Sequence, residues 1–297
     1  MDNRIVTGHI LALITVFIWG LTFISTKILL DYFSPIEILF YRFIIAWIIL
    51  LIIAPRTLHI IHRKQEFLFA IAGLCGVTLY YLVENMALTY TLASNVGIIS
   101  SAVPFVIALL SFFFLKEPLH LPFFIGFIVA MVGISFISLN GATHFQVNPF
   151  GDLLALCATV IWAIYSIVLR KISQFGYPLL LVTRRIFGYG ILFMIPIIIM
   201  MPTEWHWNSI LELKALLNLL FLGICASAIC FITWNYAIQV LGTVTSGLYI
   251  YLVPVITVLF SVLLLQEPLT LFTVVGITLT LVGLFLSEAK WLLKKKI

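Results

Sequence analysis

The sequence predicts an all-α membrane protein: ten transmembrane helices in two inverted five-helix repeats, residues 1–143 and 144–297. Three observations predict it. Of 297 residues, 63% are hydrophobic and 9% charged, and the mean hydropathy is +1.23. A soluble chain would carry about a quarter charged residues, so there is too little polar surface here to coat a core facing water. The apolar residues also fall into ten runs of roughly span length, and the second half of the chain repeats the first.

A helix rising about 1.5 Å per residue needs roughly 20 apolar residues to cross about 30 Å of hydrocarbon. Runs of that kind lie at 8–30, 36–54, 66–90, 94–115, 121–140, 151–170, 178–200, 212–238, 244–265 and 270–289. Strands are excluded, because unpaired backbone groups cannot face lipid and a barrel would need alternating segments of about 10 residues. The first run lacks a small-residue cleavage site and reads as a retained helix, not a cleaved signal. Cys75, Cys157, Cys225 and Cys230 lie inside runs without metal-ligand spacing, so no metal, cofactor or disulfide framework is expected.

The repeat appears when the sequence is slid against itself. Gly8, Leu11, Ala12, Leu13, Trp19 and Pro35 recur 143 positions later as Gly151, Leu154, Ala155, Leu156, Trp162 and Pro178, and Arg42 meets Arg185. At an offset of 150, Asn85, Ala87, Gly97, Pro104, Glu117, Pro118, Gly126 and Gly133 meet Asn235, Ala237, Gly247, Pro254, Glu267, Pro268, Gly276 and Gly283. The slip of seven fits an insertion around 203–209. Five spans is an odd number, so the second half enters the membrane upside down. Two similar halves about an in-plane axis can exchange conformations and open one central site to either side, which suits transport.

The net charge of +5 does not point to nucleic acid, since the basic residues sit in short loops and the C-terminal tail. Arg4, Arg56, Arg63, Lys64, Lys116, Arg170, Lys171, Lys290, Lys294, Lys295 and Lys296 share one side of a ten-span arrangement, opposed by Lys214. Asp31, Glu37, Asp152, Glu204 and Glu212 lie on the other side, so both termini are expected in the cytoplasm of a cell-membrane protein. The terminal lysines would meet anionic headgroups of the bilayer.

Trp19-Gly20, Tyr41-Arg42-Phe43 and the series from Ala93 to Pro118 (Ala-Ser-Asn-Val-Gly, Pro-Phe-Val, Leu-Lys-Glu-Pro) resemble the EamA-like branch of the drug/metabolite transporter superfamily. Thr243 to Gly247, Pro254 and Leu265-Gln-Glu-Pro268 look like its second copy. The resemblance implies ten helices around a central cavity, lined by the first, third, fourth, sixth, eighth and ninth spans. It also implies movement of amino acids, other metabolites or drugs, commonly outward. A membrane-embedded enzyme is the competing class, but paired intramembrane carboxylates, a His-Glu-x-x-His run or a nucleophile with a base are not found. A non-transporting subunit would have little surface outside the membrane for signalling.

Several residues are candidates for the site. Glu84 is placed well inside a span, where an ionisable group must be paired or face water. With Lys27 and Arg42 it could form an ion-paired cluster, and two readings stay open: a structural salt bridge, or a group that binds a proton or a substrate amine. Arg42 and Arg185 either anchor their helices or attract a substrate carboxylate. Trp19, Tyr80, Trp162, Tyr165, Trp234 and Tyr249, interleaved with Asn85, Asn235 and Ser100, would suit an apolar-walled pocket with a few orienting polar groups, or would simply pack. Pro104 and Pro254 near mid-span predict matched kinks that could serve as gates. Glu117-Pro118 and Glu267-Pro268 would cap the fifth and tenth spans. Gly126, Gly133, Gly276 and Gly283 form packing ridges that could serve a homodimer, leaving monomer and dimer both open.

Overall fold

A computed structural model describes residues 3–90, 96, 99–116, 118–138, 148–200, 205–265 and 271–288. These residues form helices and no strands. In order they are α1 (Asn3–Leu29), α2 (Pro35–Ile53), α3 (Arg63–Gly73), α4 (Tyr80–Tyr90), α5 (Val103–Leu115), α6 (Leu121–Ser138), α7 (Pro149–Ser173), α8 (Leu179–Met200), α9 (Leu213–Leu220), α10 (Cys230–Leu241), α11 (Thr243–Leu248), α12 (Leu252–Leu265) and α13 (Leu271–Glu288). Among the described residues six helical stretches are long and apolar enough to cross a membrane: Asn3–Thr26, Pro35–Ile53, Arg63–Tyr90, Pro149–Ser173, Leu179–Met200 and Leu213–Leu241. Four shorter apolar helices accompany them, Val103–Leu115, Leu121–Phe136, Thr243–Thr257 and Val274–Ser287. Ile10, Leu13, Ile14 and Phe17 on α1 and Phe112, Phe113 and Phe114 on α5 are exposed on the outside of the bundle. That surface suits hydrocarbon and not water.

Local chemistry sets the helix starts. Ser34 caps α2 in a reciprocal box with Glu37, and Pro35 fills the first turn, where its missing N–H costs nothing. Asn148 caps α7 by accepting from the Gly151 N–H, again with proline next in line. Gly242 joins α10 directly to α11 at φ +86°, a backbone conformation that favours glycine.

Two runs expected as plain helices change pitch. The third contains a π-helical segment at Leu74–Leu79 and the eighth one at Phe221–Ile229. At their ends the N–H of Tyr80 reaches back five residues to the Cys75 carbonyl, and that of Cys230 to the Cys225 carbonyl. The two bonds sit at the repeat offset of 150. The fourth and ninth runs are interrupted: residues 101–102 form a turn before α5, and a 3₁₀ turn at Tyr249–Tyr251 separates α11 from α12. Pro104 and Pro254 therefore lie in the first turns of new helices. The expected kinks are breaks, and at a helix start the absent N–H removes no hydrogen bond.

Packing is crossed between the halves. Helix α1 packs on α10 and α12, and its repeat counterpart α7 packs on α4 and α5. The glycine ridges meet inside one chain: a Cβ on Gly126 would strike the Gly283 carbonyl and Ser287, and one on Gly133 the Gly276 carbonyl and Thr280. Since the offset of 150 turns the pair 126/283 into 276/133, α6 and α13 lie against each other with matching contacts. The ridges are thus used up within the chain and are not free for a second copy.

Candidate functional site

Between α1, α2, α4, α5, α7 and α12 lies a cavity of about 80 Å³, lined by Trp19, Thr22, Thr26, Arg42, Tyr80, Tyr81, Glu84, Asn85, Leu88, Ser100, Val103, Trp162, Ile250 and Val253. Larger cavities sit at the bundle end where the chain starts. One of about 170 Å³ adjoins His120 and Arg170, and an open groove of about 290 Å³ adjoins Trp47 and Arg185. In both, the arginine is already engaged: Arg170 donates to the Ile238 and Gln239 carbonyls at the end of α10, and Arg185 is paired with Glu66. The small interior cavity is where charged groups converge without pairing.

The π segment in the third run helps to aim them. One extra residue in a turn rotates everything after it by about 100°. Tyr80, Glu84, Asn85 and Leu88 follow it on α4 and share the cavity face. Glu84 is 8% exposed, and its Oε1 accepts from the Tyr80 hydroxyl at 2.7 Å. Asn85 donates to the Pro35 carbonyl at 3.3 Å, tying α4 to the start of α2. Arg42 is 5% exposed, with its Nε donating to Ser227 Oγ at 2.9 Å and its guanidinium 4.3 Å from the centre of the Tyr81 ring. Among the described residues no ion pair joins Arg42 to Glu84. The expected cluster is therefore not a salt bridge between these two: the serine and the tyrosine ring hold the guanidinium, while the tyrosine hydroxyl holds the carboxylate. The Lys27 side chain lies outside the described residues.

Aromatic rings close the cavity on the side of the chain's start. Trp19 lies 5.4 Å from Trp162 and 5.0 Å from Trp234, and Tyr80 lies 4.7 Å from Trp162. Phe231 packs under both Trp19 and Trp162. Behind this layer the Tyr165 hydroxyl donates to Asn235 Oδ1 at 3.0 Å, and Asn235 Nδ2 donates to Thr183 Oγ1 at 2.9 Å. That buried chain ties α7, α10 and α8 together, and a fully satisfied polar network of this kind fixes one packing. The Trp19 Nε1–H donates to the Ala226 carbonyl in the second π segment at 3.1 Å. Its counterpart, the Trp162 Nε1–H, is buried without a partner among the described residues.

Of the predicted residues, Trp19, Tyr80, Glu84, Asn85, Ser100, Trp162 and Arg42 line the cavity. Tyr165, Trp234 and Asn235 stand behind its wall, and Tyr249 sits apart from it, 2.6 Å from His9 Nδ1. Pro104 and Pro254 each follow a lining residue, Val103 and Val253. Arg185 is distant, bonded to Glu66 through Nε and Nη2, and Glu66 also accepts from the Tyr189 hydroxyl. Glu117, Glu267, Pro268 and the terminal lysines lie outside the described residues.

Sequence reasoning missed Tyr81, Ser227, Thr26 and the π segments. It also missed a second engaged carboxylate, Glu37. Fully buried, Glu37 accepts from the Ser34 and His206 N–H groups at 2.8 and 2.7 Å and lies 3.1 Å from His206 Nδ1. The pairing of Glu66 with Arg185 was accessible, since residue 66 opens the third run and Arg185 lies near the start of the seventh, at the same end of the bundle.

A family model described as the EamA-like transporter family matches residues 6–139 and 149–288. An uncharacterized transporter of Archaeoglobus fulgidus is 28% identical over 291 residues, covering 95% of this chain and 97% of that one. A probable terminal-alkyne amino-acid exporter of Streptantibioticus cattleyicolor is 24% identical, covering 95% and 94%. A crystal structure 21% identical in sequence superposes with a TM-score of 0.77 over 97% of this chain and 98% of its own, a likeness of fold.

Proposed function

This chain belongs to the EamA-like transporter family, and from that premise we propose that it exports small organic metabolites, amino acids or related compounds, by alternating access. One observation carries the choice of substrate: a buried guanidinium and a buried carboxylate line one cavity without being paired to each other. A zwitterion supplies a carboxylate to Arg42 and an ammonium to Glu84, giving each group a direct counter-charge. The distant relative named as an amino-acid exporter supports the same class.

Ten spans in two inverted repeats form the machine, the six long helices and four shorter ones being its spans. The crossed packing of α1 and α7, the self-matching of α6 with α13 and the paired π segments support a two-fold axis in the membrane plane. Both termini face the cytoplasm of the cell membrane, and the basic residues mark that face. The cavity then lies in the outer half of the bilayer, above an aromatic floor closed toward the cytoplasm. At about 80 Å³ it holds two or three waters, so it must widen to take a metabolite. The protein functions as a monomer or a homodimer.

Counterflow in proteoliposomes tests the function: preloaded amino acid should drive uptake of labelled amino acid without energy input. If a chemically broad panel gives none, the reading is wrong.

Exchange of conformations between the halves makes a second prediction. Trp162 is the counterpart of Trp19, and Gly76 of Ala226. In the inward-facing state Trp162 should donate to the Gly76 carbonyl and Trp19 should lose its bond. A hydrogen bond is worth about 1 kcal/mol net, or roughly five-fold in a two-state ratio. Trp162→Phe should therefore favour the outward-facing form about five-fold and Trp19→Phe the inward-facing one. Labelling of a cysteine at Ser100 by an impermeant reagent, in a chain lacking the four native cysteines, reads the shift. Shifts of the same sign would refute the exchange.

A further inference from the structure

The open groove of about 290 Å³ at the bundle end where the chain starts shares no lining residue with the interior cavity. We propose that it binds an anionic phospholipid, with the phosphate at Arg184 and an acyl chain along α8. Such a site is independent of what the protein carries.

The sequence of α8 sets the groove's shape. Arg184, Gly188 and Leu192 are spaced four apart, so they stack on one face of the helix, and all three line the groove. Gly188 leaves a gap in the middle: a Cβ built there would meet only the Trp47 indole, at 3.4 Å. Trp47 and Leu51, one turn apart on α2, supply the opposite wall. Beyond Leu192 the same face of α8 continues with Ile195 and Ile199, and all three are exposed, as are Ile48 and Ile52 on α2. The groove therefore runs from a charged end onto surface that suits hydrocarbon. From Arg184 to Ile199 the helix rises about 22 Å, more than half of a hydrocarbon core about 30 Å thick, so one acyl chain can follow it through a leaflet.

Charge completes the match. Arg185 is neutralised by Glu66, which it meets through Nε and Nη2. Arg184 donates through Nη1 to the Ala54 carbonyl at the end of α2, a neutral group, and among the described residues no carboxylate is paired with it. Two arginines against one glutamate leave the groove one net positive charge. The loop that supplies Leu58 adds an exposed Arg56, and α3 opens with exposed Arg63 and Lys64. A guanidinium at the head of an apolar channel fits an amphiphile whose head is an anion. A soluble anion would use the arginine and not the stripe below it. A zwitterionic lipid would use the stripe but bring its own cation toward the arginine. A lipid seated here touches α2 and α8 together, and because it binds only the folded chain it should stabilise the fold.

The full chain, freed of lipid in a neutral detergent, supplies the test by native mass spectrometry and thermal unfolding. One dioleoylphosphatidylglycerol should bind about five- to ten-fold more tightly than dioleoylphosphatidylcholine, and it should raise the Tm. Glycerol 3-phosphate and inorganic phosphate, which carry the charge without the chains, should leave the Tm unchanged. Arg184→Gln removes the charge and keeps the stripe, so it should lose the preference for phosphatidylglycerol and bind phosphatidylcholine as the parent does. Gly188→Leu fills the gap and keeps both arginines, so it should weaken both lipids by about ten-fold, the loss of roughly two buried methylenes. Both variants retain the C-terminal lysines. A preference that survives Arg184→Gln therefore assigns the anionic lipid to another part of the chain and overturns the proposal, and unchanged lipid binding by Gly188→Leu overturns the placement in this groove. Equal binding of the two lipids by the parent chain overturns it whether or not either variant folds. A Tm raised by glycerol 3-phosphate as much as by the lipid would make this a site for a soluble phosphate and overturn the lipid assignment.

Discussion

Arg42→Gln should reduce transport of carboxylate-bearing substrates by about 30-fold or more while leaving the protein folded. The guanidinium is held by Ser227 at Nε and lies against the Tyr81 ring, and it lines the cavity where a ligand would sit. A planar, bidentate pair of this kind, formed away from water, is among the stronger polar interactions a protein makes, about 2 to 5 kcal/mol on truncation. That range spans roughly 30-fold to more than 1,000-fold. Lysine should not rescue it: its ammonium is a point charge without the fork and cannot repeat the Nε bond to Ser227. Ser227→Ala should cost only a few-fold, since the tyrosine ring still holds the guanidinium. Rates of counterflow for an amino acid and for the corresponding amine check the assignment, because the amine should lose much less. Equal losses for both would mean that Arg42 shapes the cavity and does not bind a carboxylate.

The sequence made the spans legible because hydrocarbon demands long apolar runs, and the repeat legible because matched glycines and tryptophans occupy positions where substitution is difficult. It also brought most of the cavity wall together: Trp19, Trp162, Tyr80, Glu84, Asn85, Ser100 and Arg42 were all singled out and all line it. The pitch of the third and eighth helices was not legible. A π turn needs no special residue, and apolar runs lack the periodicity that would betray a phase change. The lining helices that the resemblance implied also differ from those observed. The second span was not expected and supplies Arg42, while the eighth was expected and supplies Trp234 only from behind the wall. Tyr249 looked like a wall residue by type, but the 3₁₀ turn at Tyr249–Tyr251 leaves it bonded to His9. Side-chain partners such as Ser227 for Arg42 lie 185 residues away, and no local pattern announces them.

Gly283→Leu and Gly133→Leu should each abolish a stable fold, and the reason shows what the glycines are for. A Cβ on Gly283 would sit 2.6 Å from the Gly126 carbonyl and closer still to the Ala130 backbone nitrogen. On Gly133 it would sit 2.5 Å from the Thr280 nitrogen and 2.6 Å from the Gly276 carbonyl. Backbone atoms cannot turn aside as a flexible side chain can, so α6 and α13 would have to part by about 1 Å along their length to restore ordinary contact distances. In lipid no hydrophobic force holds two helices together, and close packing is what drives their association. Overpacking costs typically about 1 to 3 kcal/mol in a soluble core. Here a separation that also strips neighbouring contacts should exceed that range and take most of the protein's marginal stability. Gly188→Ala is the matched control, because its Cβ would meet Trp47 Nε1 at 3.4 Å, an ordinary contact. Thermal unfolding in detergent, followed by size-exclusion chromatography, should show the leucine variants aggregated or lowered in Tm by more than about 10 °C and Gly188→Ala within about 2 °C of the parent. Were the leucine variants stable monomers with a changed oligomeric state instead, the ridges would serve a contact between copies, and the α6–α13 interface would not be the element that joins the two halves.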